Sequence, residues 1–226
     1  MLVLALDTST PAISAGLVEL VPGGEPLELG RCVRVDARAH AEQLAPAIQE
    51  CLERAGVDMP AVRAVAVGVG PGPFTGLRVG LGTAAAISAA LGVATYGVCS
   101  LDAIVPESGA GPYAAVTDAR RKEVYWAPYT ADGHRLADAA VTRPAVLPDQ
   151  LASFGVVRLV GAGAQLYADV LGLPVGPPSY PDVVRLAART AERALRSAPT
   201  ERLQPLYLRR PDVAEPGPRK SVLPRR

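Results

Sequence analysis

Residues 68–92, GVGPGPFTGLRVGLGTAAAISAALG, constrain this chain more than any other stretch. They set a glycine- and proline-rich turn directly after the apolar run AVRAVAVGVG (residues 61–70) and then open into a helical pattern. A buried strand, a tight turn and a helix in that order form the working unit of an α/β fold. Two uses for such a turn compete, holding phosphate or letting backbones come close. The phosphate-binding patterns G-x-x-x-x-G-K-[ST] and G-x-G-x-x-G offer backbone N–H groups to the anion. Here Pro71 and Pro73 stand where donors are needed, and proline has none. No lysine follows, and the nearest cation is Arg78 in the first turns of the helix. The helix itself contains Gly76, Gly80 and Gly82. An interior glycine costs about 0.5–1 kcal/mol relative to alanine, so three cost roughly 2–3 kcal/mol and call for a compensating gain. Gly76, Gly80 and Ala84 fall at i, i+4 and i+8, and Gly82, Ala85, Ala86 and Ala89 make a second small-residue face. Smooth faces admit another backbone and gain dispersion contacts. Packing is therefore the expected use, either inside this chain's own core or against a second protein.

The surrounding segments extend the same architecture. LVLALD (residues 2–7) is continuously apolar, as a strand buried on both faces must be. AISAGLVEL (12–20) and LELGRCVRV (27–35) alternate, and the VPGGEP turn between them predicts a hairpin. HAEQLAPAIQECLERAG reads as a helix through Ala41, Leu44, Ala45, Ile48, Leu52 and Ala55, stopped by Gly56. Pro46 inside that pattern either kinks the helix or marks its true first turn. VATYGV is a further strand, and SLDAIVPES a short helix with Ser100 as its N-cap. ESGAGP marks a break near Gly109. Beyond it YAAVTDA and EVYWAPYT form a hairpin around Arg120–Arg121–Lys122, and PDQLASF, VRLVGAG and AQLYADVLG read as helix, strand and helix. PDVVRLAARTAERALRS is expected to be one long helix. The predicted organisation is a first subdomain over residues 1–108 and a second over 109–180. A helix and extended segment over 181–211 pack back on the body, and a basic, proline-rich, disordered tail spans 212–226.

Composition narrows the function classes. With 23 Lys and Arg against 22 Asp and Glu in 226 residues, no global field draws the chain to nucleic acid or membrane. The balance is uneven, because seven cations against three carboxylates follow Ala198. Aromatic residues are 4% of the chain, so the core is built from Ala, Val and Leu. Cys32, Cys51 and Cys99 form no C-x-x-C pair and read as reduced, buried thiols. The start MLVLALDTST is a strand and not a signal peptide, and no run approaches the ~20 apolar residues of a membrane span. The expectation is a soluble, cytoplasmic protein with no membrane partner.

Few residues could carry chemistry. Asp7 ends the first strand and precedes Thr8, Ser9 and Thr10. It fits either a carboxylate that holds a metal-bound water or phosphate, as in actin-like ATPases, or a cap on its own turn. Asp7, Ser9 and Thr10, with Gly161 and Gly163 of the later strand–helix turn, make up the candidate nucleotide site. The phosphate pattern asks for glycine two residues after the aspartate, and Ser9 stands there. His40 and His134 are the two histidines, and Leu44 occupies the position that would complete H-x-x-x-H, so no metal site is expected. There is no G-x-S-x-G elbow. Asp118, Arg120, Arg121, Lys122 and Glu123 read as a solvated hairpin tip. No catalytic residue is assigned. An ATP-dependent kinase of a small substrate is the enzymatic alternative, and a peptidase lacks both metal pair and nucleophile.

Taken in order, LALDTSTPAISAGLV, HAEQLAPAI, GVGPGPFTGLRVGLGTA, DARRKEVYWAPY and PLYLRRP resemble the TsaB family, over residues 2–211. The resemblance implies a duplicated actin-like (ASKHA) α/β fold with two small mixed-sheet subdomains and flanking helices. It implies a non-catalytic subunit that binds TsaD, together with the ATPase TsaE, to make threonylcarbamoyladenosine next to the tRNA anticodon. ATP and a divalent metal would belong to those partners and not to this chain. Contact would run through the two early helices, by His40, Leu44, Ile48 and Leu52 of one and Gly76, Leu77, Gly80, Ala84 and Ile87 of the other. The same surface would serve self-association when the partner is absent. tRNA would be met indirectly or through the basic tail.

Overall fold

A computed structural model describes residues 1–107 and 111–209. The predicted tail over 212–226 and the break at Gly109 lie outside the described residues. The first sheet is built from β1 (Leu2–Asp7), β2 (Ala12–Glu19), β3 (Leu27–Val35), β4 (Ala64–Gly68) and β5 (Ala94–Val98), with α1 (His40–Ala55) before β4 and α2 (Phe74–Leu91) after it. The second contains β6 (Tyr113–Asp118), β7 (Val124–Tyr129), β8 (Ala140–Thr142), β9 (Arg158–Val160) and β10 (Val175–Gly176). Its helices are α3 (Leu147–Ser153), α4 (Ala162–Leu166) and α5 (Ala168–Leu171), and α6 (Val183–Ala188) and α7 (Ala191–Leu195) close the described chain.

The sheets repeat one plan. The first runs β3-β2-β1-β4-β5 and the second, read in the matching direction, β8-β7-β6-β9-β10. In each, the leading strand pairs antiparallel with its hairpin partner and parallel with the strand that returns through a helix. This is the duplicated arrangement expected of an actin-like fold. β1 is central and covered on both faces, which is why LVLALD carries no polar residue before Asp7. Leu4 and Leu6, with Ile13, Val65 and Val67, face α1 and α2. Val3, Ala5 and Ala66 face the other way, onto Val183, Leu186 and Ala187 of α6 and Ala194 of α7. Each fully buried Leu contributes about 1.5–3 kcal/mol.

Several local expectations are corrected. The last helix is two helices, broken at Arg189–Thr190. There Thr190 Oγ1 donates to the Ala187 carbonyl at 2.7 Å, and Arg189 turns away to the Gly133 carbonyl at 2.7 Å. A threonine hydroxyl that bonds its own backbone competes with the helical ladder. AQLYADVLG likewise splits into α4 and α5 at Tyr167. Ser100 does not cap its 3-10 turn, because its hydroxyl donates to Asp7 instead. Pro46 sits inside α1, well past its first turn, and is exposed, so the bond it removes faces water. Gly56 ends α1 with φ 63°, as its C-terminal stop should. By length and mean hydropathy of 1.3 alone, α2 would pass as a membrane-crossing helix. Its buried face, Gly76, Leu77, Gly80, Leu81 and Ala84, lies on the first sheet.

Candidate functional site

The β1–β2 turn lies at the centre of the molecule, and its polar groups are spent on neighbours. Asp7 is 1% exposed. Its Oδ1 accepts from the N–H and the hydroxyl of Ser9, at 2.9 and 2.7 Å, and its Oδ2 from the Ser100 hydroxyl at 2.6 Å. Burial raises the pKa of this carboxyl, and the Ser100 and Ser9 hydrogen bonds oppose that shift. A Cβ on Gly68 would lie 2.8 Å from the Asp7 carboxyl carbon, so strand β4 closes the space beside it. Thr8 Oγ1 donates to the Gly76 carbonyl at 2.7 Å, and His40 Nε2 donates to the Thr10 carbonyl at 2.8 Å. The turn thus cross-links β1 to α1 and α2.

The glycine-rich turn answers to the same geometry. A Cβ on Gly72 would meet the Ser9 carbonyl oxygen at 2.2 Å, one on Gly76 the Thr8 oxygen at 2.5 Å, and one on Gly80 Thr8 Oγ1 at 2.4 Å. The Gly70 amide is engaged too: its N–H donates to Ser100 Oγ at 3.2 Å, and Ser100 N–H donates to the Gly70 carbonyl at 2.7 Å. Glycine at these positions lets the backbone of the β1–β2 turn approach.

Much of the partner surface expected from sequence is buried within the chain. Leu77, Gly80 and Ala84 are buried in the chain's own core, as is Leu44, while Gly76 and His40 are buried where they line the cavity between the two sheets. Gly76 and Gly80 lack a side chain because Thr8 of the β1–β2 turn presses on them. The face of α2 that stays open is the second small-residue face, where Gly82, Ala85, Ala86 and Ala89 are exposed and nothing lies within 4 Å of a Cβ built on Gly82. Beside it runs an apolar groove of about 600 Å³ between α1 and α2, lined by Ile48, Leu52, Met59, Thr83 and Ile87. Of the nine residues expected at the interface, Ile48, Leu52 and Ile87 reach this groove.

A second cavity, about 570 Å³, lies between the two sheets. Thr10, Arg38 and Thr75 line it from the first half, and Thr117, Asp118 and Arg120 from the second. Of the five residues grouped as a nucleotide site, Thr10 faces this cleft while Asp7 and Ser9 bond inward. Gly161 and Gly163 press on the Val116 and Thr117 backbone, at 2.2 Å to Val116 O and 2.5 Å to Thr117 C for an added Cβ. Ala162 between them lines the cleft. Asp118 ends β6 as Asp7 ends β1, yet it lies at the mouth, where its carboxylate takes the Arg120 N–H at 2.9 Å. Among the described residues no group of three His, Cys, Asp or Glu could hold a metal ion.

One feature of the hairpin tip escaped the sequence reading. Arg120, Arg121 and Lys122 hold φ of 62°, 52° and 60°. The left-handed region costs an L-residue other than glycine roughly 1–2 kcal/mol, and the composition of a charged tip gives no hint of it. The segment after α7 is a strap. Thr200 and Glu201 bond to β5 through the N–H groups of Thr95 and Gly97 at 2.9 and 3.1 Å, and Leu206 N–H donates to the Val69 carbonyl at 2.7 Å. Tyr207 stacks on Phe74 at 4.1 Å, and Arg209 donates to the Ala119 carbonyl at 3.0 Å in the β6–β7 hairpin. The strap therefore joins the two halves.

Comparison with known proteins agrees with this architecture. A family model described as TsaD, tRNA N6-adenosine threonylcarbamoyltransferase, matches residues 34–157. An uncharacterized Mycobacterium tuberculosis protein is 48% identical over 93% of each chain. The Escherichia coli protein named tRNA threonylcarbamoyladenosine biosynthesis protein TsaB is 30% identical, covering 92% of this chain and 95% of its own. The solved structure of YeaZ from Pseudomonas aeruginosa superposes with a TM-score of 0.72 at 31% identity, over 92% of this chain and 99% of the other.

Proposed function

The chain belongs to the TsaB family, and we propose that it is the non-catalytic scaffold and activating subunit in tRNA threonylcarbamoyladenosine biosynthesis. Its partners on this reading are a TsaD-type transferase and the ATPase TsaE, which hold the ATP and divalent metal that this chain does not bind itself. One observation carries the reading. The face of α2 that bears Gly82, Ala85, Ala86 and Ala89 is bare of large side chains, open, and set against an apolar groove lined by Ile48, Leu52 and Ile87. A surface of this kind suits a second helix pair, which can approach closely over the small residues and fill the groove with its own aliphatic side chains. Self-association through the same face follows when the partner is absent. The kinase alternative needs a free carboxylate at Asp7, and that carboxylate already accepts three hydrogen bonds.

The test is to mix the full chain with a TsaD homologue from the same source and run size-exclusion chromatography with light scattering. A stable heteromeric peak is expected. Ala86→Arg, on the open face, should abolish that peak while changing the stability of the free chain by no more than about 0.5 kcal/mol. Two independent peaks from folded wild-type proteins would overturn the scaffold reading. Retention of the complex by Ala86→Arg would move the interface elsewhere.

A further inference from the structure

The scaffold role leaves the tip of the β6–β7 hairpin without a use. The tip is closed by backbone bonds, Ala119 N–H to the Glu123 carbonyl and Glu123 N–H to the Arg120 carbonyl, both at 3.0 Å. None of this closure needs a cation. Glycine or asparagine would hold the left-handed backbone at less cost, yet all three positions carry long cationic side chains. Strained residues persist where the surroundings hold them and the site has use for them. The tip belongs to a wider rim. Arg38, from the first half, lines the same cleft and is exposed, and among the described residues its guanidinium makes no hydrogen bond or ion pair. The Lys122 ammonium is likewise without a partner among the described residues, and Arg120 meets Asp118 only at 3.7 Å with its side chain 60% exposed. Arg209 is fixed to the Ala119 carbonyl. The sequence that follows it, residues 210–226, adds five cations against two carboxylates starting from this point.

We propose that the rim formed by Arg38, Arg120, Arg121 and Lys122 binds the phosphodiester backbone of RNA. The inference rests on the reading of the chain as part of a tRNA-modifying assembly and names the surface that meets the nucleic acid. The cations are exposed and spread along an edge, which suits phosphates in series. An enclosed small anion would find apolar walls at Pro11, Ala41, Ala162 and Leu166, and the Asp118 carboxylate would repel it. The rim also adjoins the partner face. α1 and α2 both begin at the cleft, with His40 and Thr75 in its lining, and carry the open groove farther along. RNA on the rim would lie beside a protein seated on those helices.

The test uses the full chain and a fluorescein-labelled, unmodified tRNA transcript, with anisotropy read across a salt series. The variant Arg120→Gly/Lys122→Gly removes two cations and relaxes the backbone, so it should melt at or above the wild-type temperature. Its affinity should fall about tenfold, and the slope of log K against log salt should flatten by about 1.4–1.8, because each phosphate contact contributes about 0.7–0.9. Arg120→Lys should bind like wild type. An unchanged affinity and slope in the double variant would overturn the proposal, as would absence of wild-type binding at the lowest salt. Binding of ATP without binding of RNA would overturn it in favour of a small ligand in the cleft. The same variant is also mixed with the transferase. Loss of that complex by both proteins while the RNA contrast persists would count against the scaffold reading and leave this one standing.

Discussion

Gly80→Ala and Gly82→Ala should change stability in opposite directions, although the two residues are neighbours on one helix and the substitution is the same. Gly82 is exposed and a Cβ there touches nothing within 4 Å. The substitution therefore gains only the difference in helix propensity, about 0.5–1 kcal/mol. At Gly80 the same Cβ lies 2.4 Å from Thr8 Oγ1, which is itself bonded to the Gly76 carbonyl at 2.7 Å. The hydroxyl has to leave that bond, and displacing a buried polar group from its partner costs about 1–3 kcal/mol. Set against the propensity gain, Gly80→Ala should be destabilising by about 0–2.5 kcal/mol, so the two variants differ by about 1–3 kcal/mol. For a chain of this size that is roughly 2–12 °C in melting temperature, read by circular dichroism with a urea series as a check. A double-mutant cycle locates the cause. In a Thr8→Ala background the obstructing hydroxyl is gone, and Gly80→Ala should become neutral or stabilising. If Gly80→Ala stabilises the wild-type chain as much as Gly82→Ala does, or the cycle shows no coupling, the close approach of Thr8 to α2 does not explain the glycine.

Burial raises the Asp7 pKa, so the native state holds its proton to higher pH than the unfolded chain does. The stability linked to Asp7 is then present at acid pH and is lost as pH rises from the unfolded value, about 3.9, through the raised native one. Urea midpoints of wild type should fall relative to Asp7→Asn over that window, and a difference that rises with pH would refute the assignment. Burial also pushes the Cys99 thiol to about 12 and the Cys51 thiol to about 11, and raises that of Cys32. None of the three should react with Ellman's reagent at pH 8 in the native chain, and all should react once it unfolds; fast native labelling of any one would contradict the burial argument.

The five strands of the first sheet and the two long helices were legible because their signals are local, whereas the short β8 and β10 of the second sheet were not. A run such as LVLALD can only be a doubly covered strand, and Gly56 after an apolar periodic stretch can only end a helix. The glycine-rich turn was legible in part: the prolines rule out a phosphate cradle, but two small-residue faces on α2 cannot be ranked until one knows which of them β1 occupies. That choice depends on contacts between residues 8 and 80, far apart in the chain. The hairpin tip was illegible for a different reason. Arg-Arg-Lys has no turn signature of its own, and its left-handed backbone is imposed by the register of β6 on β7.

The duplication gives a reason for the division of labour between the halves. Asp7 and Asp118 end equivalent strands, β1 and β6, so each begins in the same topological place, at the edge of the cleft. At Asp7, Ser9 stands where a glycine would leave the carboxylate open, and Ser100 reaches across from the 3-10 turn, so both oxygens are consumed. A carboxylate held this way ties the β1–β2 turn to the 3-10 turn at Ser100. At Asp118 the next residue to bond is the exposed Arg120, and the carboxylate stays at the mouth among cations. In the first half the β1–β2 turn is bonded to α1 through His40 and to α2 through Thr8, and fixed placement of two helices lowers the ordering penalty that docking on their open face would carry. The other half keeps its strand end half-buried at the mouth of the cleft, beside the exposed Arg120.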